Sequence, residues 1–395
     1  MSRLAVLVAV AVAVVVAVKP LLVAPGVLLS LVTVSDEVYY VPAGRFLVSR
    51  LLGLNYTPPY EVVVTAGESG TIHVNVTVHD PGVLPVNLLA VVDWRNLEHP
   101  AFAKLVYGAV LEATGGSIVC LRTALLLFSA VAYGLLAYVL VSRWRLLGVV
   151  GLAVFLIVDR LFVYFTFLAF LDTLMMAFFA VGLSLYLLGR RRGGLLALSL
   201  SAACKAPALA LTVPFAIAER RRSGLRGALA FIVAPVLALL ASYGLNLVFA
   251  SPQELARAVL SVARIRDWAC STPVCFFAMS EQWGLMELHP PMLWLWLLLP
   301  VLLALSRRRD VGEEYLPLYI ALFNILFVTV VSLSRAVYVY YYLPAVSLTP
   351  YAVAYVADTV LAGVKRLEGY KARVCRILQE LRVNRVRDHA AAEAH

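Results

Sequence analysis

Long apolar blocks separated by short basic stretches dominate the chain. Leu125–Val141 with its flanks, Phe165–Leu188 and Ala336–Ala362 are long enough to cross a bilayer, since a helix needs about 20 mostly apolar residues to span a ~30 Å hydrocarbon core. The interruptions are Arg143 with Arg145, Arg190–Arg192, Arg220–Arg222 with Arg226, and Arg307–Arg309, followed by a basic tail from Lys365 to Arg387. Arg and Lys in short loops mark the cytoplasmic side of a membrane protein.

That rule predicts an order of spans with the N-terminus inside. Span 1 covers Leu4–Ala24, a block that resembles a signal-peptide core but lacks a small-residue cleavage site. A long outer loop runs from Pro25 to Ser117. Span 2 is Val119–Val141, Ser142–Arg145 form an inner turn, and span 3 is Leu146–Val158. Asp159–Arg160 turn on the outside, and span 4 runs Leu161–Leu188. Gly194–Ala218 has arginines at both ends and breaks at Lys205, Pro207 and Pro214, so it predicts a hairpin of two short helices, spans 5 and 6. Leu225–Ala250, Met292–Leu305, Tyr315–Leu333 and Ala336–Ala362 complete about ten spans, with a second outer loop at Ser251–Pro291. The fold class is an all-α polytopic membrane protein: a transmembrane domain over residues 1–362 and a basic cytoplasmic tail over 363–395. The predicted place is the cell membrane.

The first outer loop, residues 25–117, carries patterns of its own. Asp36–Gly53 sets Val38, Val41, Phe46 and Leu47 against Arg45 and Arg50, and predicts an interfacial helix. Trp94–Glu112 predicts a second, with Phe102, Leu105, Val106 and Ala109 on one side. Glu61–Thr65 and Thr71–His79 flank Ala66–Gly70, and Ile72, Val74, Val76 and Val78 alternate with polar residues, which predicts a β-hairpin. Asn55–Thr57 and Asn75–Thr77 are glycosylation-acceptor patterns.

Composition agrees with a membrane chain. Of 395 residues 62% are apolar and 14% charged, against about 25% charged in soluble domains. The mean hydropathy is +0.89. The net charge of +10 is accounted for by the inner loops, so it does not indicate nucleic acid. Cys270 and Cys275 share the second outer loop as a disulfide or as two free thiols. His73 and His79 lie on one strand face without the further ligands of a metal site, and no metal is required by the residues present.

Several polar residues stand out. Asp36–Glu37 open the outer loop, either as charges at a helix N-terminus or as a general base. Glu98, His99, Pro100 and Lys104 form a compact group in a water-facing segment. Arg122 lies three residues into span 2 and Lys205 in the middle of an apolar block, where ionisable side chains are functional hypotheses by default. Asp159, Arg160 and Asp172 are able to pair with one another. The Tyr338–Tyr342 run beside Arg335 reads as an aromatic belt or as part of a site.

Together these groups resemble the protein O-mannosyltransferase family and related C-type membrane glycosyltransferases. Asp36-Glu37-Val38-Tyr39-Tyr40 resembles the family's Asp-Glu motif. Glu98-His99-Pro100-Ala101-Phe102-Ala103-Lys104 resembles His-Pro-Pro-Leu-Gly-Lys, with the second Pro and the Gly replaced. Arg122 matches the arginine that opens span 2, and Leu171-Asp172 a Leu-Asp pair after the short outer turn. Cys204-Lys205-Ala206-Pro207 resembles Thr-Lys-Gly-Pro of bacterial aminoarabinose-transfer relatives. Arg335 to Pro344 resembles Arg…Tyr-His-Tyr-Leu-Pro, with Tyr341 where His is usual. The Trp-Trp-Asp motif of oligosaccharyltransferases is absent.

The resemblance implies a C-type glycosyltransferase fold and an enzyme that moves a sugar, mannose by the family's habit, from a polyprenyl-phosphate donor to an acceptor hydroxyl. Transfer occurs on the extracytoplasmic face with inversion, protein Ser/Thr being the implied acceptor. It makes Asp36 the general base, or the group that orients the acceptor hydroxyl, with Glu37 assisting, and places Tyr40, His99 and Lys104 in the acceptor site. Arg122, Lys205, Arg335 and Tyr342 would receive the lipid phosphate, with Asp172 and Tyr341 in support. The donor is the only cofactor-like molecule implied. Partners are the lipid-linked donor, a protein or glycan acceptor, and either copies of the chain or other subunits. Two other readings stay open: a same-fold transferase with a lipid or glycan acceptor, and a non-enzymatic transporter or assembly protein, for which matching broken helices in two halves are not evident.

Overall fold

A computed structural model describes residues 3–34, 36–58, 60–66, 72–79, 95–268, 315–332 and 339–362, with 364, 368 and 373. The predicted Met292–Leu305 span, Arg335, Cys270, Cys275 and nearly all of the basic tail lie outside the described residues.

The architecture is helical. In order come α1 (Arg3–Val23), α2 (Pro25–Leu28), α3 (Glu37–Leu51), α4 (Phe102–Ala113), α5 (Ile118–Val158), α6 (Leu171–Leu187), α7 (Arg191–Cys204), α8 (Ala208–Asn246), α9 (Pro252–Trp268) and α10 (Leu316–Ser332). Between α3 and α4, Tyr60–Ala66 and Ile72–Val78 pair as a two-stranded antiparallel ladder in which Val62 faces Val76 and Val64 faces Val74.

Among the described residues, three helices are long and apolar enough to cross a membrane: α1, α5 and α8. A bent pair, Tyr340–Ser347 with Thr349–Ala362, makes a fourth if it is one span; its bend is 43°. Their surfaces suit lipid. On α8, Leu225, Leu229, Val233, Leu237 and Leu240 form an exposed stripe at helical spacing, opposite the buried Ala228, Phe231, Pro235 and Leu239. α1 exposes Leu7, Val10, Val14 and Leu22 while burying Ala5, Val12, Val16 and Pro20. In water such stripes would be a large exposed apolar patch; a bilayer would cover them.

Both longest helices fold back on themselves. α5 breaks at Arg145, which has φ 49° and ψ −122°. A Cβ built on Gly148 would lie 3.2 Å from the Leu140 carbonyl oxygen, whereas eight residues of straight helix separate atoms by about 12 Å. α8 breaks likewise at Gly224, whose φ of 75° is open to glycine without the Cβ clash other residues incur. The inner turn expected at Ser142–Arg145 and the hairpin expected around Lys205 correspond to these limbs. α7 runs to Cys204, Lys205 is extended at φ −158°, and the first limb of α8 returns antiparallel, bringing Arg191 to Glu219.

Other expectations need correction. The predicted span Leu161–Leu188 is not one helix: Phe162–Thr166 is a 3-10 turn and the helix starts at Leu171. The second outer-loop helix begins at Phe102, not Trp94. α3 is buried on most sides, including Tyr40, Pro42, Gly44 and Ser49, because it packs against α4 rather than lying half-wet on an interface. The last predicted span, Ala336–Ala362, is interrupted by a 3-10 turn at Val339–Tyr342 and a short helix at Leu343–Ser347.

The α3–α4 packing depends on two glycines. A Cβ on Gly108 would collide with the Gly44 carbonyl, and one on Gly44 with the Lys104 carbonyl. The backbones therefore touch directly, as small residues allow in membrane proteins. Gly108→Val is expected to force the helices apart at a cost of about 1–3 kcal/mol or more, seen as a lower apparent Tm of the detergent-solubilised protein. Gly53→Ala tests crowding against φ, since nothing lies within 4 Å of its Cβ position yet its φ is +70°; it should destabilise less than the change at Gly108.

Candidate functional site

Arg122 is fully buried near the start of α5. Its Nε donates to Glu37 Oε1 at 3.0 Å, and one terminal nitrogen donates to Glu37 Oε2. The remaining N–H groups go to the carbonyls of Val27 at 2.7 Å, Ser30 at 2.8 Å and Val32 at 2.9 Å. A guanidinium has five donors, and all five are engaged. Glu37 is equally occupied, accepting also from the amides of Val34 at 3.0 Å and Ala169 at 2.9 Å. This corrects two expectations. Arg122 has no donor left for a lipid phosphate, and Glu37 has no free position from which to assist a base. The pair instead ties α5, the 27–34 segment, the start of α3 and the segment before α6 into one unit.

Asp36 sits one residue before this clamp, half-buried, with no hydrogen bond from its side chain to its own helix. Its pKa is raised above the ordinary carboxylate range, chiefly by desolvation; Lys205 opposes the shift and Asp172 adds to it. Those influences place Asp36 within electrostatic reach of a second buried pair. Lys205 Nζ donates to Asp172 Oδ2 at 2.6 Å, and the other oxygen, Asp172 Oδ1, is buried without a partner. The ammonium also lies 4.3 Å from the Tyr340 ring centroid and 5.1 Å from that of Tyr341, a cation–π arrangement that partly replaces its lost hydration.

Local structure explains how these groups arrive. Asp172 lies in the first turn of α6, where the helix dipole favours a carboxylate. Lys205 sits at the extended break between α7 and α8, so its backbone leaves the helix and its side chain reaches Asp172. The tyrosines are held by Asn324 of α10, whose amide donates to the Tyr341 carbonyl and accepts from the Ala345 amide, each at 3.2 Å.

The Glu98–Lys104 segment forms another wall. The His99 ring meets Tyr40 edge-on at 5.7 Å. Burial and the nearby Asp36, Asp172 and Glu98 push the Tyr40 phenol well above its ordinary pKa, so it remains a neutral hydrogen-bond donor. Lys104 differs from expectation. It is fully buried and donates to the carbonyls of Asn96 at 2.6 Å and His99 at 3.0 Å; it shapes the turn rather than facing an acceptor. Asn246 and Tyr243 from the end of α8 hold the same turn through the carbonyls of Leu97, His99 and Glu98.

Asp36, Tyr40, His99, Asp172, Lys205 and Tyr341 therefore share one region. Tyr342 does not: it is fully buried with its hydroxyl 3.5 Å from Thr329 Oγ1, and Tyr340 takes the place beside Lys205. Asp159 caps the amide of Phe162 at 2.9 Å, and Lys19 donates to its carbonyl, so it belongs to the structural turn and not with Asp172. Sequence reading took Tyr340 only as part of the Tyr338–Tyr342 run and passed over Asn246, Asn324 and Glu219. Glu219 had a visible signal, a lone acid before Arg220–Arg222. It accepts from Tyr186 at 2.9 Å, Arg191 at 2.8 Å and Ser223.

Comparison with protein-family models, with curated proteins and with solved structures finds no match.

Removing one member of a buried ion pair leaves an uncompensated charge, at a cost of about 3–5 kcal/mol. Arg122→Met and Glu37→Leu are each expected to lower the apparent Tm strongly. The double variant should lose less than the sum of the two, because no lone charge remains, and a thermal-melt double-mutant cycle in detergent measures the difference.

Proposed function

We propose that the chain is a multi-span membrane glycosyltransferase, with about ten spans of the C-type kind, that moves a sugar from a polyprenyl-phosphate donor to a hydroxyl on the extracytoplasmic face of the cell membrane. The sugar is proposed to be mannose and the acceptor a protein Ser or Thr. One observation carries this reading: residues singled out from separated motifs, from Asp36 to Tyr341, gather around a buried Lys205–Asp172 pair beside a carboxylate with a raised pKa.

In this reading the acceptor oxygen attacks the anomeric carbon as the bond from that carbon to the phosphate oxygen breaks. Asp36 takes the hydroxyl proton, and polyprenyl phosphate leaves with the electron pair. A carboxylate whose pKa lies nearer neutrality is a better base than one near ~4. Lys205 offers the departing phosphate a fixed positive charge in a low-dielectric place. Asp172 holds the ammonium in position, and Tyr40 offers a neutral donor to substrate oxygens.

Purified protein in proteoliposomes with polyprenyl-phosphate mannose and a hydroxyl-bearing acceptor peptide tests this. The wild type should release polyprenyl phosphate and glycosylate the peptide, and Asp36→Asn should lower the rate by at least about 10²-fold. The Asn variant should not lose stability at neutral pH, because a carboxyl with a raised folded-state pKa favours folding most when protonated and less as pH rises through that pKa. Unchanged transfer by Asp36→Asn overturns the base assignment; no transfer by the wild type to peptide, lipid or glycan hydroxyls overturns the enzyme reading.

The acid limb of kcat/KM should lie above the ordinary carboxylate value of ~4, with activity rising as pH climbs through the raised Asp36 pKa. A pH–rate profile with its limb at or below that value contradicts the assignment.

A further inference from the structure

A groove of about 630 Å³ opens between the first limb of α8 and α10, away from the candidate site. Its walls are apolar, among them Pro214, Ile217, Leu322 and Phe323, and its mouth carries Arg221 and Arg222. Both arginines are exposed. Ile217 and Leu326 on its lips are 54% and 55% exposed, so the groove is open along its side as well as at the basic end. The volume is within the range of small-molecule sites, about 300–1,000 Å³.

Its dimensions and charge restrict the occupant. The lining stretches, Pro214 to Arg222 and Leu316 to Leu326, cover about 12–15 Å of helix axis at 1.5 Å per residue. That is about half of a ~30 Å hydrocarbon core, the depth of one leaflet. Arg221 is about 24 Å along the helix from Lys205, so a lipid with its phosphate at this mouth cannot present that phosphate to the Lys205–Asp172 pair. The neighbouring Glu219 is buried and engaged by Arg191, Tyr186 and Ser223, while Arg221 and Arg222 present exposed guanidinium groups beside the apolar walls. Free phosphate would have no use for the apolar walls, and a neutral lipid none for the arginines.

We propose that this groove is a binding site for an anionic phospholipid of the leaflet at the basic side, its phosphate on Arg221 and Arg222 and a hydrocarbon chain along Ile217, Leu322 and Phe323. Basic pockets between membrane helices recognise such headgroups. The site is separate from the proposed donor site and does not rest on the glycosyltransferase reading.

The test uses the full chain reconstituted in vesicles of equal phosphatidylglycerol and phosphatidylcholine, extracted in mild detergent and examined by native mass spectrometry. Two arginines predict retention of phosphatidylglycerol over phosphatidylcholine by about 30-fold. The double variant R221Q/R222Q should lose that preference. Ala218→Phe keeps both arginines and fills the groove, and should lose the bound lipid. Ile217→Trp, on the exposed lip, repeats this arm without disturbing buried packing. Excess inorganic phosphate should leave the phosphatidylglycerol count unchanged. Equal retention of the two lipids by the wild type overturns the proposal, as does displacement by inorganic phosphate. Undiminished phosphatidylglycerol binding by both filling variants assigns the preference to surface charge and overturns the groove as its site.

Discussion

A fully buried bidentate pair, Arg122 with Glu37, is the constraint on which the rest of the site depends. Deep in a protein, a guanidinium is tolerable only when its charge is matched and its donors are filled. Here the matching groups come from the 27–34 segment, the first turn of α3 and, through Glu37, the amide of Ala169 just before α6. Satisfying one side chain therefore fixes two stretches that are remote from it in sequence, residues 27–37 and the approach to α6. Asp36 precedes Glu37 and Asp172 follows Ala169 by three residues, so the clamp sets how far apart these two carboxylates lie.

The second centre is built from irregular backbone. Lys205 occupies a helix break, Asp172 a helix start, and Tyr340 and Tyr341 a 3-10 turn. Continuous helices turn their polar backbone groups inward on themselves and leave only side chains to do chemistry. Breaks bring side chains from several directions to one point, and they are tolerated at membrane depth where protein covers them. The breaks are braced: Ser242 donates to the Ala203 carbonyl at 2.8 Å and accepts from the Phe102 amide at 2.9 Å, while Asn324 secures the tyrosine turn. Among the described residues at this centre, Asp172 Oδ1 is buried without a hydrogen-bond partner.

The two ends of the α7–α8 hairpin serve different chemistry. At the Lys205 end, carboxylates, phenols and one ammonium are enclosed. At the other end Glu219 gathers Arg191, Tyr186 and Ser223, and Arg221 and Arg222 are exposed beside an apolar groove. The same hairpin thus has a buried ion pair at one end and exposed arginines at the other. That polarity is the asymmetry written in the arginine clusters, now seen as a difference between enclosed and exposed charge.

Much of this was legible from residue order. Apolar blocks, basic interruptions and the Lys205–Pro207 break are local properties, since hydrocarbon burial and the loss of helix at proline depend on neighbours in the chain. Asp36, His99, Asp172, Lys205 and Tyr341 were also visible, because a polar side chain in or beside an apolar block is conspicuous wherever it later points. Partnership was not visible. Arg122 and Lys205 look alike in sequence, as lone cations in apolar surroundings, and only the fold gives one a saturated set of partners and leaves the other beside an unpaired oxygen. Lys104 and Tyr342 moved out of the site, Lys104 to the carbonyls of Asn96 and His99 in its own turn and Tyr342 to the neighbourhood of Thr329 on α10, while Tyr340 moved in over Lys205: which group a side chain meets depends on how turns and helices pack, and that packing is a property of the folded whole rather than of any local run of residues.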